Sequence, residues 1–192
     1  DYEKIYKGRY KLLRKAYENS NISENPDYQR FVAENNWWLS DYALFMALKW
    51  HFNQKSWQDW DEDIKFRTQK GMQKYKELLA DEIGFWKFVQ YEFDKQWKKL
   101  KEYANENNVD IIGDIPIYMG LDSSDVWADA GEFLLDENLT PVKVAGVPPD
   151  AFSELGQKWG NPLYDWNKME ANGFRWWRAR MAHSAELYDV IR

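Results

Sequence analysis

Val109–Tyr118 reads VDIIGDIPIY, a short apolar run broken by a single carboxylate at Asp114. Its β-branched residues fall on both parities, which suits a strand covered on both faces, as in a parallel sheet. Just upstream, Phe85, Phe88, Val89, Phe93, Trp97, Leu100 and Tyr103 follow the i, i+3, i+4 rule over several turns and predict a long helix. Asn105, Asn107 and Asn108 end that pattern, and the strand begins at once. A helix running straight into a buried strand is the αβ half of a βαβ unit, so the fold class is α/β. After the strand comes a segment rich in Gly, Pro, Asp and Ser, residues 119–164, punctuated by Trp127, Phe152 and Trp159. A loop of that length inside a compact domain is functional or disordered, and its regular aromatic punctuation argues for function.

Outward from this centre the pattern is helical. Ile5, Tyr6, Tyr10, Leu13 and Tyr17 predict a helix over residues 2–19, and Asn25-Pro26 reads as an N-cap followed by Pro at the first helical position. Trp37–Phe52 is apolar nearly all round, as in a helix buried on several sides. Residues 53–63 read as irregular with Trp57 and Trp60 as anchors, and a polar helix follows over about 66–80. Past the long loop, Asp165–Asn172 reads as a short helix with Gly173 beyond its end. Phe174–Leu187 reads as another helix with Trp177, Met181 and Trp176 inward, and Tyr188–Ile191 as the opening of a second strand. The expected boundary lies near Arg67, between a helical, Trp-rich part (1–67) and an αβαβ part (68–192).

Composition narrows the partners. The chain has 192 residues, enough for one ordinary domain, and a formal net charge of -6 disfavours a nucleic-acid partner. The absence of cysteine excludes disulfides and thiolate metal sites and fits a cytoplasmic home. No apolar run approaches a membrane span. Aromatic residues make up 18% of the chain, with 12 Trp and 12 Tyr, and rings with a polar handle suit surfaces that are half apolar and half wet. No glycine-rich phosphate loop and no metal-ligand cluster stands out, and His51 and His183 lie in helical segments without a second ligand nearby, so no cofactor is expected.

Asp114 shares its parity with Ile112 and Pro116 and sits toward the carboxyl end of the strand, where barrels of parallel strands place their active sites. The alternative is a solvated or capping carboxylate. Asp122, Ser123, Ser124 and Asp125 form a polar cluster suited to capping the turn that holds Val126 and Trp127. Gly146–Asp150 is a turn signal, whose double proline would hold Asp150, Phe152 and Ser153 out from the body.

The segments GDIPIY (113–118), DSSDVW (122–127), FLLDE (133–137), VAGVPPDAFSELGQKWGNPLYDW (144–166) and WWLSDYALFMALK (37–49) resemble the signature segments of the amylomaltases, the 4-α-glucanotransferases also called disproportionating enzymes. The resemblance is colinear from about Asn35 to Arg192. It implies part of a (β/α)8 (TIM) barrel with a helical inserted subdomain, and transfer of α-1,4-glucan segments to the 4-hydroxyl of an acceptor sugar by a retaining covalent route. By this similarity Val109–Tyr118 is the third barrel strand and Asp114 helps to hold the sugar next to the cleavage point. The GVPPDAFSELGQKWG stretch is the mobile loop over the acceptor side, where Asp150, Phe152 and Ser153 touch the glucan and Trp159 offers a stacking face. Family members often carry tyrosine where Ala151 stands here. Arg192 matches the arginine that precedes the nucleophilic Asp by two residues, so the nucleophile is expected just past Arg192 and no catalytic carboxylate falls within the chain. A piece of a longer enzyme, inactive alone, is the expectation. The other readings are a piece of an amylase-type hydrolase and a non-catalytic glucan-binding module.

Overall fold

The computed structural model describes residues 2–192; the Tyr6 side chain, part of the first helical pattern, lies outside the described residues. The chain packs as two compact units, one of residues up to Lys55 with Asp59–Trp97, the other of Ser56–Gln58 with Lys98–Arg192.

The first unit is helical: α1 (Tyr2–Glu18), α2 (Pro26–Glu34), α3 (Asn36–His51), α4 (Glu62–Lys65), α5 (Gln69–Leu78) and the first turns of α6 (Ala80–Glu106). The Asn25 side chain accepts from the backbone N–H of Asp27 at 2.9 Å and of Tyr28 at 3.1 Å, with Pro26 opening α2. Such a cap stabilises by about 1 kcal/mol. Helix α3 buries Leu39, Ala43, Leu44, Phe45, Ala47 and Leu48, so its apolar character all round reflects neighbours on several sides. Ala43 and Ala47 pack with Phe85, Trp86 and Phe88 of α6, and with Tyr10, Leu13 and Tyr17 of α1. Lys49 is also buried there; its ammonium donates to the carbonyls of Gln54 at 2.9 Å and Lys55 at 2.8 Å, which offsets its loss of water. Trp60 stacks on Phe52 at 5.6 Å between centroids.

The packing division at Trp97 has a plain cause. The early turns of α6 supply Phe85, Trp86, Phe88 and Tyr91 to the cores built on α1, α2 and α3. Arg67 itself is tied back to Asp41 of α3 at 2.7 Å. Along α6 the expected apolar stripe is buried only in its first half, and Phe93, Leu100 and Tyr103 are exposed.

The second unit holds β1 (Ile112–Gly113), α7 (Ser124–Ala128), β2 (Val144–Val147), β3 (Gln157–Pro162), α8 (Trp166–Ala171), α9 (Arg175–Leu187) and β4 (Val190–Ile191). Strands β1 and β4 pair in parallel, Ile112 with Val190 and Gly113 with Ile191. The ten-residue strand expected over 109–118 is therefore mostly unpaired, and part of its apolar surface is not covered: Ile112 is 66% and Ile117 70% exposed. Pro116 offers no N–H to a ladder, and the Ile111 N–H goes to the Asp189 carboxylate at 2.8 Å instead of to a strand. Met181, expected inward on α9, is 41% exposed. The core of this unit is Trp57, Val126, Trp127, Phe133, Ala145, Tyr164 and Met169.

The long loop is largely structured. Ser123 caps α7 by accepting from the Val126 N–H, as its polar cluster predicts. Further on, β2 and β3 form an antiparallel hairpin with a bulge between Val144 and Gly146. Trp57 anchors this region from a distance in sequence: its Nε1 donates to Leu121 O at 2.7 Å, and its backbone N–H to Asp122 Oδ1 at 3.3 Å.

Candidate functional site

Asp114 follows β1 directly, at the carboxyl end of the parallel pair, and Arg192 follows β4 at the same end. Arg192 donates through Nε to one carboxylate oxygen at 3.0 Å and through Nη2 to the other at 2.5 Å, a bidentate fork. The ladder sets this pairing: Arg192 N–H donates to Gly113 O at 2.8 Å, and Ile115 N–H donates to Arg192 O at 3.2 Å. Hydrogen bonds from the guanidinium hold the Asp114 carboxyl below the ordinary aspartate range. Asp114 thus stands ionised in a solvent-facing position, with Arg192 as its partner.

The hairpin carries the other four predicted residues. Asp150 Oδ1 accepts from the N–H groups of Phe152 at 2.9 Å and Ser153 at 2.8 Å, the Asx-turn use of an aspartate. Ser153 Oγ donates to Gly156 O at 2.8 Å. Gly156 leaves the turn with φ 70, and a Cβ there would collide with Val147 O. The side chains of Asp150 and Ser153 therefore brace the tip, and what the tip presents is Phe152, 96% exposed, beside Leu155, 95% exposed. Trp159 lies further back on β3; its Nε1 donates to Gln157 Oε1 at 2.9 Å, and its ring lies 6.4 Å from that of Tyr118.

Tyr118 links the two groups. It lies four residues past Asp114 and stacks on Tyr164 at 6.2 Å between centroids, within a cluster that includes Phe133, Trp166, Trp176 and Trp177. Tyr164 OH donates to Ile117 O at 2.7 Å, and Asn161 Nδ2 to Met119 O at 2.8 Å. The structure thus brings together Asp114 with Arg192, Asp150 with Phe152 and Ser153, and Trp159 with the segment after Asp114. Leu155, Asn161, Tyr118 and Tyr164 were not singled out from the sequence. Asn161 and Tyr164 belong to GQKWGNPLY, where the motif was legible and the partners of its side chains were not. Among the described residues no group of three or more acidic, His or Cys side chains is arranged to hold a metal, and no helix is long and apolar enough to cross a membrane.

The family model described as 4-alpha-glucanotransferase matches residues 1–192. The chain belongs to the 4-α-glucanotransferase family. It is 51% identical over its whole length to a 4-alpha-glucanotransferase of Clostridium butyricum and 44% identical to that of Aquifex aeolicus, spanning 40% and 39% of those proteins. Among solved structures, an amylomaltase from Streptococcus agalactiae in complex with acarbose matches all of the chain at a TM-score of 0.93 and 39% identity, with 39% of that structure covered. The amylomaltase of Corynebacterium glutamicum, at 18% identity and a TM-score of 0.66, shares the fold. The chain therefore spans about 40% of the length of the glucanotransferases it matches.

Proposed function

We propose that these residues form part of a 4-α-glucanotransferase that moves α-1,4-glucan segments from a donor chain to the 4-hydroxyl of an acceptor glucan or glucose. The observation that carries the site is the Asp114–Arg192 fork at the carboxyl end of two parallel strands. That is the end at which (β/α)8 barrels build active sites. In this reading β1 and β4 are neighbouring barrel strands, residues 68–192 belong to the barrel, and residues 1–67 supply the helical inserted part together with barrel helices. The reaction takes place in the cytoplasm.

Each residue has a physical task. Asp114 accepts hydrogen bonds from sugar hydroxyls through an ionised carboxylate, a charge-assisted contact. Arg192 keeps that carboxylate charged and favours the ionised form of any neighbouring acid. The apolar C–H faces of glucose lie on the rings of Phe152 and Trp159, with Asp150 and Ser153 holding the tip in shape against the glucan. A hairpin closing over a covalent glycosyl intermediate shields it from water, so that transfer outruns hydrolysis. Retaining chemistry needs two carboxyl groups about 5–5.5 Å apart across the bond. No pair among these residues is assigned those roles, so the 192-residue chain by itself is expected to transfer nothing.

The test is product analysis of a protein of the relatives' full length carrying these residues, fed maltotriose. Longer and shorter maltooligosaccharides without new reducing ends support transfer. Reducing ends rising in step with donor loss would identify a hydrolase instead.

A further inference from the structure

Three side chains from different places in the second unit converge on the backbone just after Asp114. Arg180 Nη2 of α9 donates to Pro116 O at 2.7 Å, Tyr164 OH to Ile117 O at 2.7 Å, and Asn161 Nδ2 to Met119 O at 2.8 Å. This segment has few ladder bonds of its own: β1 pairs over two residues only, and the last bond of the ladder is Ile115 N–H to Arg192 O. Past that point, side chains rather than a sheet fix the course of the chain.

We propose that Arg180 is a positioning residue for Asp114, acting through the Pro116 carbonyl, with Asn161 and Tyr164 completing a three-point clamp on residues 116–119. The proposal rests on the glucan-binding reading of Asp114 given above. Arg180 is suited to the task because it is itself held on two sides. Its guanidinium carbon lies 5.3 Å from the ring centroid of Trp176 and 5.0 Å from that of Trp177, and a planar cation on ring faces keeps a fixed direction. Asp125 of α7 supplies opposite charge: burial raises its pKa, and the Arg180 charge works against that rise. The clamp adds to the ladder in explaining why Asp114, exposed and directly after the paired strand, meets Arg192 in a two-point fork rather than a loose ion pair. It also assigns a use to Asn161 and Tyr164 of GNPLY, which lie far from Asp114 in sequence.

The experiment uses the 192-residue chain and reads the Asp114 carboxyl by carbon-13 NMR titration in Arg180→Gln, Arg180→Lys and the control Arg178→Gln. Arg178 is an exposed residue of the same helix. With the clamp in place, Arg180→Gln moves the Asp114 midpoint up toward the ordinary aspartate value of about 3.9. Arg180→Lys, which keeps a charged donor, lies between Arg180→Gln and wild type, and Arg178→Gln leaves the midpoint alone. A wild-type midpoint in Arg180→Gln, or Lys and Gln variants that match each other, overturns the proposal. Should Arg180→Gln fail to melt cooperatively, Arg180→Lys is read alone, and a wild-type midpoint there overturns the proposal as well. Titration of a full-length protein with maltooligosaccharide separates the two readings. Sugar that leaves the Asp114 signal unmoved counts against the glucan-binding role, whereas the clamp stands or falls on the midpoints.

Discussion

Arg192 grips Asp114 at both carboxylate oxygens, 78 residues apart in sequence and joined through neighbouring parallel strands. Replacing Arg192 by Gln removes the hydrogen bonds that lower the Asp114 pKa. Its midpoint, followed by NMR, should rise toward the ordinary aspartate range. Because the folded value is the depressed one, the fork's contribution is fully present above the unfolded aspartate pKa and is lost as pH falls through the lower folded value. Both side chains are largely exposed, so added salt should weaken the effect.

Gly113 is the residue on which the β1–β4 ladder closes. A Cβ at this position would overlap the ring of Tyr188. Gly113→Ala should therefore cost about 1–3 kcal/mol in urea unfolding, the usual range for overpacking. The double variant with Tyr188→Leu should recover part of that loss. An alanine variant as stable as wild type would mean that Tyr188 swings aside freely.

Trp57 is fully buried, and its indole N–H satisfies the Leu121 carbonyl. Trp57→Ala should destabilise by about 3–5 kcal/mol. Trp57→Phe keeps most of the ring but abandons the carbonyl, so about 1–3 kcal/mol is expected. Urea melts of the two variants check the order.

The hairpin tip separates stability from binding. Phe152 is almost wholly solvent-exposed, so Phe152→Ala should leave unfolding free energy within about 0.5 kcal/mol of wild type. In a full-length protein the same change should weaken acceptor binding, seen as a raised acceptor KM. Ser153→Ala should act differently: it removes the bond to Gly156 O and loosens the turn itself.

What the sequence made legible was local or very specific. The Asn25-Pro26 cap, the Ser123 cap and the long α6 each follow from nearest-neighbour chemistry, and α8 ends at Ala171 with Asn172 as its cap and Gly173 just beyond. Asp114 and Arg192 were named separately, and only the parallel register shows them as a pair. The apolar run 109–118 gave an over-long strand, because hydrophobicity reports what a segment can bury and not which partner it meets. The same holds for Phe93, Leu100 and Tyr103 on α6, whose spacing signals a helix and whose exposure no spacing could show. The hairpin was hidden because VAGV and QKWGNP contain Gly and Pro, which are poor strand formers, and their pairing is a backbone matter.

The most direct measurement is a crystal structure of a full-length protein carrying this chain with a bound maltooligosaccharide. The account predicts a sugar hydroxyl within hydrogen-bond distance of the Asp114 carboxylate and sugar faces laid on Phe152 and Trp159. A glucan bound elsewhere, with Asp114 engaged by Arg192 alone and the hairpin untouched, would contradict it.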